Sequence, residues 1–319
     1  MINNIEEVVK ILQNSKKVAI FCHSRPDGDS LGGMLALTLA LQNAGKHAVA
    51  FCEDAPPEKY CFLPAMKEVK TSFQRAEYDL LVSVDCADSS RMGSFAKEFT
   101  KFKGITLNID HHISNTKFAK YNYVLECPAS CQILADILTK AQFEINKDIA
   151  DLLMLGLVTD TGNFVHSDVT SSSFLVGAML RDKGADVQAI NYNMFGRQPR
   201  ARAELFGRVM SKIHYAHEDK FAYIVISASD LKESGADKSM TEGLVDFPLT
   251  VDGVEVSAAL LEFKDGQYKI SLRSKGKVNV NAVASTFGGG GHILASGCML
   301  FGTLDEVIDK LTYAVYQNL

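Results

Sequence analysis

Short apolar stretches bounded by turn residues alternate with helical patterns in the first half of the chain. The apolar stretches predict buried strands at residues 17–22, 48–52, 79–84 and 104–109. Helical spacing and end signals predict helices at residues 30–44, 130–141, 147–158 and 170–183. Because strands alternate with helices, we predict an α/β fold whose first domain contains a parallel, doubly wound sheet.

The pattern changes in the second half of the chain. A polar and basic stretch with helical spacing, residues 186–213, precedes predicted strands at 221–227, 254–263 and 268–273. Residues 264–267 form a turn signal that joins the last two strands into a hairpin, and a helix is predicted at 304–316. We therefore predict a first domain over residues 1–185, a helical linker over 186–213 and a smaller α/β domain over 214–319.

Length and charge narrow the classes of partner. The chain has 319 residues, which favours two domains, and its formal net charge is −5 without a long run of Lys or Arg. It therefore lacks the basic surface that grips long duplex DNA, and short substrates fit better. No apolar segment approaches the roughly 20 residues that span a bilayer, and the first residues do not form a signal-peptide pattern. We expect a cytoplasmic protein without a membrane partner, and the sequence is compatible with a homodimer.

Carboxylates and imidazoles follow the predicted elements of the first domain at four places. They are His23, Asp27 and Asp29 after the first strand, Asp85 after the third, Asp110, His111 and His112 after the fourth, and Asp160 at a helix end. Singly, a helix cap explains the first place as well as a metal does, and a loop residue or a capped turn is the simpler interpretation of Asp85 and of Asp160. Two adjacent histidines behind a buried aspartate at a strand end are less common. Together they would require four unrelated accidents on successive elements, at the strand ends where open α/β sheets place their active sites.

This clustering predicts a metal site. Carboxylates buried against each other are costly unless a cation or a proton lies between them. Oxygen ligands with imidazole suit manganese, magnesium or iron, and the seven cysteines include no CxxC pair that would indicate a thiolate site. Two such ions sharing a carboxylate can hold a hydroxide and a phosphoryl oxygen for in-line displacement. The implied reaction is the hydrolysis of a phosphate ester.

These residues resemble the motifs of the DHH/DHHA1 phosphoesterases, which are named for the Asp110-His111-His112 triplet. The resemblance covers nearly the whole chain. Its further motifs are His23-x3-Asp27-x-Asp29, Asp85, Asp160, Arg273-Ser274 and the glycines 288–291 followed by His292. The chain is most similar to the branch that degrades very short RNA and removes the 3′-phosphate of 3′-phosphoadenosine-5′-phosphate (pAp).

The resemblance implies two metal positions that share Asp85. It assigns His23, Asp27 and Asp85 to the first position, and Asp29, Asp85, His111 and Asp160 to the second. The implied ions are two divalent cations, manganese by preference, with magnesium as the alternative. Asp110 would orient a histidine ring by hydrogen bonding. His112 would face the scissile phosphate and stabilise its developing charge.

The second domain would hold the nucleotide end of the substrate. Arg273 and Ser274 end a predicted strand, and an arginine there can offer a bidentate fork to a terminal phosphate. Gly289, Gly290 and Gly291 permit close backbone approach to a phosphate, with His292 directly after them. A glycine run followed by a surface histidine can also be a simple turn, so the resemblance carries this assignment.

The leading hypothesis is a hydrolase that releases 5′-mononucleotides from short oligonucleotides and the 3′-phosphate from pAp. The nearest alternative is a phosphodiesterase of linear or cyclic dinucleotides. A pyrophosphatase or exopolyphosphatase fits the second domain less well, and exonucleases of the RecJ kind carry additional nucleic-acid-binding domains. A catalytically silent nucleotide sensor is the alternative from another class, and the complete set of ligand residues argues against it.

Overall fold

The structure is a computed structural model that describes residues 4–73 and 77–319. The chain divides into two compact units, the first ending at Arg197 and the second beginning at Gln198. This division lies inside the predicted linker, residues 186–213, whose boundaries stay a prediction. In the described ranges, no helix has both the length and the apolar character that a membrane crossing requires.

The first unit is built on a parallel sheet with helices on both faces. Its strands are β1 (Lys17–Phe21), β2 (His47–Phe51), β3 (Leu80–Val84), β4 (Ile105–Asp110) and β5 (Tyr121–Val124). Its helices are α1 (Ile5–Asn14), α2 (Gly28–Asn43), α3 (Ala96–Thr100), α4 (Ser130–Lys140), α5 (Lys147–Asp160), α6 (Ser171–Asp182) and α7 (Val187–Asn191). The strand order is β2-β1-β3-β4-β5, with every pair parallel. The predicted α/β fold with a parallel sheet is confirmed.

The register of the sheet brings the polar strand ends together. Phe21 pairs with Ser83, and Val84 pairs with Ile109. The residues that follow β1 and β3, and the last residue of β4, therefore lie at one edge of the sheet. This edge is formed by the carboxyl ends of the strands, where open α/β sheets place their ligands.

Two helices of the first unit pack unusually closely because glycines face each other. A Cβ atom on Gly32 of α2 would lie 2.3 Å from the carbonyl oxygen of Leu152, and one on Gly156 of α5 would lie 2.6 Å from Oδ1 of Asp29. Such distances exclude any side chain at either position. The close approach sets the start of α2 beside the end of α5, so Asp29 comes near Asp160.

The second unit contains a mixed sheet covered by helices. Its strands are β6 (His214–Ala216), β7 (Phe221–Ile226), β8 (Val256–Lys264), β9 (Gln267–Ser274), β10 (Gly290–Gly291) and β11 (Ala295–Phe301). Its helices are α8 (Arg200–Met210), α9 (Ala228–Ser234), α10 (Val280–Ser285) and α11 (Leu304–Tyr316). The order is β10-β11-β9-β8-β7-β6, in which β7 and β8 are parallel and the other pairs antiparallel. The hairpin predicted at 264–267 joins β8 to β9.

Candidate metal centre

The edge of the first sheet carries a cluster of acidic and imidazole side chains. Three groups of residues have candidate ligand atoms within 4.8 Å of one another: His23, Asp27 and Asp85; Asp29, His111 and Asp160; and Asp85, His111 and His112. The first two groups contain all six residues predicted as metal ligands. The structure therefore brings together side chains that are up to 137 positions apart in the sequence (160 − 23).

Asp85 lies at the centre of the cluster. Its Oδ2 atom is 3.5 Å from Nε2 of His23, whereas its Oδ1 atom is 3.4 Å from Nε2 of His111. The residue is buried, with 2% of its surface exposed, and its φ of 58° lies in the left-handed region that aspartate visits only occasionally. A backbone held in this conformation is common at functional sites, and here it turns one carboxylate between two groups of candidate ligands.

The two central histidines present the same ring nitrogen to the carboxylates. Nδ1 of His23 lies 2.8 Å from the carbonyl oxygen of Ser24, and Nδ1 of His111 lies 2.9 Å from that of Cys127. These contacts suit a proton on Nδ1, so Nε2 of each ring is the atom directed into the cluster and able to bind a metal ion, as in most metal-bound histidines. Nε2 of His111 is buried and has no partner of hydrogen-bonding geometry within residues 4–73 and 77–319. A cation is the partner that this lone pair and the surrounding oxygens fit.

Charge repulsion within the cluster perturbs its carboxyl groups. Burial, followed by the charge of Asp85, raises the pKa of Asp29 to about 7. Burial and the charges of Asp29, Asp85 and Asp27 raise the pKa of Asp160 to about 9. Burial lowers the pKa of His23, but contacts with Asp27 and Asp85 outweigh it and raise that pKa to about 10. Without another cation the cluster therefore retains protons, which divalent ions can replace.

His112 differs from the other two histidines. Its Nδ1 atom is 2.8 Å from Oδ1 of Asp110, a fully buried carboxylate, and 3.6 Å from Oδ1 of Asp85. Oδ2 of Asp110 in turn accepts a hydrogen bond of 2.6 Å from the side-chain amide of Asn115. Since Nδ1 of His112 is hydrogen-bonded to Asp110, Nε2 is the ring nitrogen that can contact a substrate. The hydrogen bond to Asp110 raises the pKa of His112 above its usual value.

The first turn of α4 holds two of the predicted ligands. The backbone amides of Ser130 and Cys131 donate to Oδ2 and Oδ1 of Asp29, at 2.6 and 2.9 Å. The Ser130 hydroxyl donates to Oδ1 of Asp85 at 3.1 Å. The positive end of the helix dipole thus faces the buried Asp29 carboxylate, which stabilises its charge. Asp29 therefore does act as a helix cap, but it caps α4 and not α2, the helix in which it lies.

Arg273 of the second unit already has an acidic neighbour. Its Nε atom lies 2.9 Å from Oδ1 of Asp246, and one of its terminal nitrogens donates to the carbonyl oxygen of Leu272. Arg273 lines a cavity of about 260 Å³ on one face of β9, together with Ser271 and Lys269. Ser274 is buried, and since side chains alternate along a strand it belongs to the opposite face.

The glycine run is part of a hairpin. Gly290 pairs with Gly297 and Gly291 with Ser296, and a Cβ atom on Gly289 would lie 2.2 Å from the carbonyl oxygen of Gly297. A Cβ atom on Gly291 would lie 2.6 Å from the carbonyl oxygen of Ala295, so the packing of the hairpin itself requires glycine at 289 and 291, whereas position 290 has room for a Cβ atom. His292 follows in the turn and is exposed. The predicted anion-binding role of these residues stays a prediction.

Two residues of the site were not predicted from the sequence. The sequence predicts Ser130 only as the first residue of a helix. Its hydrogen-bond partners Asp29 and Asp85 lie 101 and 45 positions away in the sequence. Asn115 follows Asp110 by five positions on a polar loop. No local pattern marks either residue, because serine and asparagine are common in caps and loops.

Comparisons with known proteins agree with this arrangement. The model of the "DHH family, N-terminal domain" matches residues 17–157, and that of the "DHHA1 domain" matches residues 218–317. A bifunctional oligoribonuclease and PAP phosphatase NrnA of Thermus thermophilus is 30% identical over 99% of this chain and 93% of its own. A protein from Streptococcus mutans, described as a probable bifunctional oligoribonuclease and PAP phosphatase NrnA, is 28% identical to this chain over 88% of each chain. The crystal structure of an exopolyphosphatase-related protein from Bacteroides fragilis has a TM-score of 0.84 at 25% identity, covering 98% of this chain and 95% of its own.

Proposed function

Because this chain belongs to the DHH phosphoesterase family and carries a DHHA1 domain after the DHH domain, we propose that it hydrolyses short oligonucleotides and pAp with two divalent cations. The products would be 5′-mononucleotides in the first reaction, and adenosine 5′-phosphate with inorganic phosphate in the second. Phosphoester hydrolysis is the chemistry of the family. The substrate class rests on the relatives from Thermus thermophilus and Streptococcus mutans, whose names state both activities.

One observation carries the two-metal proposal: Asp85 directs one carboxylate oxygen to each of two adjacent ligand groups. His23 and Asp27 would complete the first position, and Asp29, His111 and Asp160 the second. The donors are carboxylate oxygens and imidazole nitrogens, which suit manganese and magnesium, and we propose manganese. The buried lone pair on Nε2 of His111 supports this assignment, because no other group in the described ranges satisfies it.

The protein's own residues would divide the work of hydrolysis. When bound, two divalent ions activate a water molecule and neutralise charge on the phosphoryl oxygens. Asp85 keeps the two positions adjacent, and the first turn of α4 fixes Asp29. Asp110 orients His112 and favours its protonated form. The Nε2 proton of His112 would then stabilise the negative charge that develops on the phosphate or the leaving oxygen.

Substrate choice is the first property to measure. We expect the purified protein with manganese to release mononucleotides from a 5′-phosphorylated dinucleotide and phosphate from pAp. A cyclic dinucleotide, a long single strand and pyrophosphate should be turned over much more slowly when offered in parallel. Faster turnover of any of these three would reassign the protein to another branch of the family. Binding of pAp without turnover by the metal-loaded protein would indicate a sensor.

Arg273 is expected to bind the terminal phosphate of the substrate, and Arg273→Ala should raise KM. A hydrogen bond to a charged group contributes about 1.5–3 kcal/mol, which corresponds to about a tenfold to hundredfold rise in KM. Bound manganese should be unchanged. Asp246→Asn is the matched control, because it breaks the same internal ion pair and leaves the guanidinium in place. Equal rises in KM for the two variants would show that Arg273 affects KM only through its ion pair with Asp246, and not by binding the substrate.

A further inference from the structure

Two arginines line a cavity beside the first metal position. The cavity has a volume of about 580 Å³ and is lined by His23, Ser24, Arg25, Asp27, Ser90 and Arg91. Its volume lies in the range of about 300–1,000 Å³ that is usual for sites of small ligands. Of the six lining residues, only His23 and Asp27 are proposed metal ligands. The cavity therefore adjoins the first position, and none of the residues proposed for the second position lines it.

The backbone fixes the two loops that carry the arginines. The amide of Ser24 donates to the carbonyl oxygen of Arg91 at 2.6 Å, which ties the loop after β1 to the loop after β3. The amide of Arg25 donates to Oδ2 of Asp54 at 2.7 Å. Arg25 also has a φ of 53°, a left-handed conformation that costs free energy in a residue other than glycine. Both arginine side chains are thus presented from a fixed backbone.

The two guanidinium groups are not used by the fold. Both residues are exposed, and within residues 4–73 and 77–319 neither side chain has an ion-pair or hydrogen-bond partner. Arg208 and Arg273 of the second unit, by contrast, are paired with Glu233 and Asp246. Both residues stand beside the carboxylates of the proposed metal centre, where the scissile phosphate would bind. A guanidinium offers a planar fork that matches phosphate oxygens.

We propose that this cavity receives the nucleotide on the 3′ side of the scissile phosphate of an oligonucleotide, which keeps that phosphate after cleavage, and that Arg25 and Arg91 bind the next phosphate along the chain. The inference rests on the proposed function and adds a substrate subsite to it. pAp has no phosphate beyond the one that is removed, whereas a 5′-phosphorylated trinucleotide has one. Apart from the proposed metal ligands His23 and Asp27, the lining residues carry hydroxyl and guanidinium groups, and they include no Phe, Tyr or Trp. Recognition would therefore depend on the sugar–phosphate backbone and tolerate any base.

The test compares two substrates of one enzyme. Arg25→Gln and Arg91→Gln should each lower kcat/KM for the trinucleotide, relative to that for pAp, by about tenfold, mainly through KM, as expected for one hydrogen bond to a charged group. Arg25→Lys and Arg91→Lys should recover part of this loss, since lysine keeps the charge but not the fork. Manganese bound at equilibrium should equal that of the wild type in all four variants.

Lys183→Gln is the control for net charge. Lys183 is exposed at the end of α6, outside both the cavity and the metal centre. Its substitution should leave unchanged the ratio of kcat/KM for the trinucleotide to kcat/KM for pAp. An unchanged ratio in Arg25→Gln and Arg91→Gln, or an equal loss on both substrates, would overturn the subsite. If the wild type itself turns over neither substrate, the proposed function fails; a failed subsite with an active wild type leaves that function intact.

Discussion

Asp85→Asn is expected to abolish hydrolysis and to reduce manganese binding at both positions. The substitution keeps the shape of the side chain but removes the charge that His23 and His111 face from either side. Metal ions contribute several kcal/mol to a phosphoryl-transfer transition state, and each 1.4 kcal/mol is about tenfold in rate. We therefore expect kcat/KM to fall by at least about a thousandfold, measured with pAp and a dinucleotide.

Metal binding distinguishes this result from simple unfolding. Manganese should raise the unfolding temperature of the wild type, because a ligand that binds only the folded state stabilises it. It should raise that of Asp85→Asn far less. Asp151→Asn is the matched control: Asp151 is buried in the same unit and is held by Lys147 and the amide of Asp186, away from the metal centre. Retention of a tenth of the activity by Asp85→Asn would exclude a shared carboxylate.

The parts of the fold that were predictable have a strong local pattern. β1 and β3 are buried strands made mostly of apolar residues, and β4 is a buried strand in which apolar and polar residues alternate. The ends of α2 and α5 carry recognisable polar residues. β5 was missed because its four residues alternate tyrosine with asparagine and valine, and Asn122 is buried through hydrogen bonds to Ala119. β11 was missed because it mixes Ser, Gly and Cys with apolar residues. Both gain their strand structure from pairing with neighbours.

The clustering of the predicted ligand residues could be foreseen because each stands beside an element end, so one sheet edge collects them. Their fine arrangement was not, since it depends on contacts between distant segments. Ser130 reaches Asp29 across 101 positions, and the pairing of Ser24 with Arg91 joins two loops. Sequence periodicity reports which face of an element is buried. It carries no information on which buried polar atoms meet at the ends of different elements.

His112→Ala is expected to lower kcat by about a hundredfold to a thousandfold while both metal positions stay filled, as for loss of one charge-stabilising donor. The structure separates His112 from the proposed ligands, because Asp110 occupies its Nδ1 atom. KM and bound manganese should change little. A loss of one manganese ion in His112→Ala would instead make His112 a ligand, as its proximity to Asp85 and His111 allows.

Asp110→Asn tests whether Asp110 acts through His112. The hydrogen bond with Asp110 raises the pKa of His112, so the imidazolium persists to higher pH and is lost as pH rises through that raised value. Without the carboxylate, the alkaline limb of the kcat profile should move to lower pH. The double variant Asp110→Asn, His112→Ala should be no slower than His112→Ala alone, since residues acting as one unit are not additive. Additive losses would assign Asp110 a separate role at the metal centre.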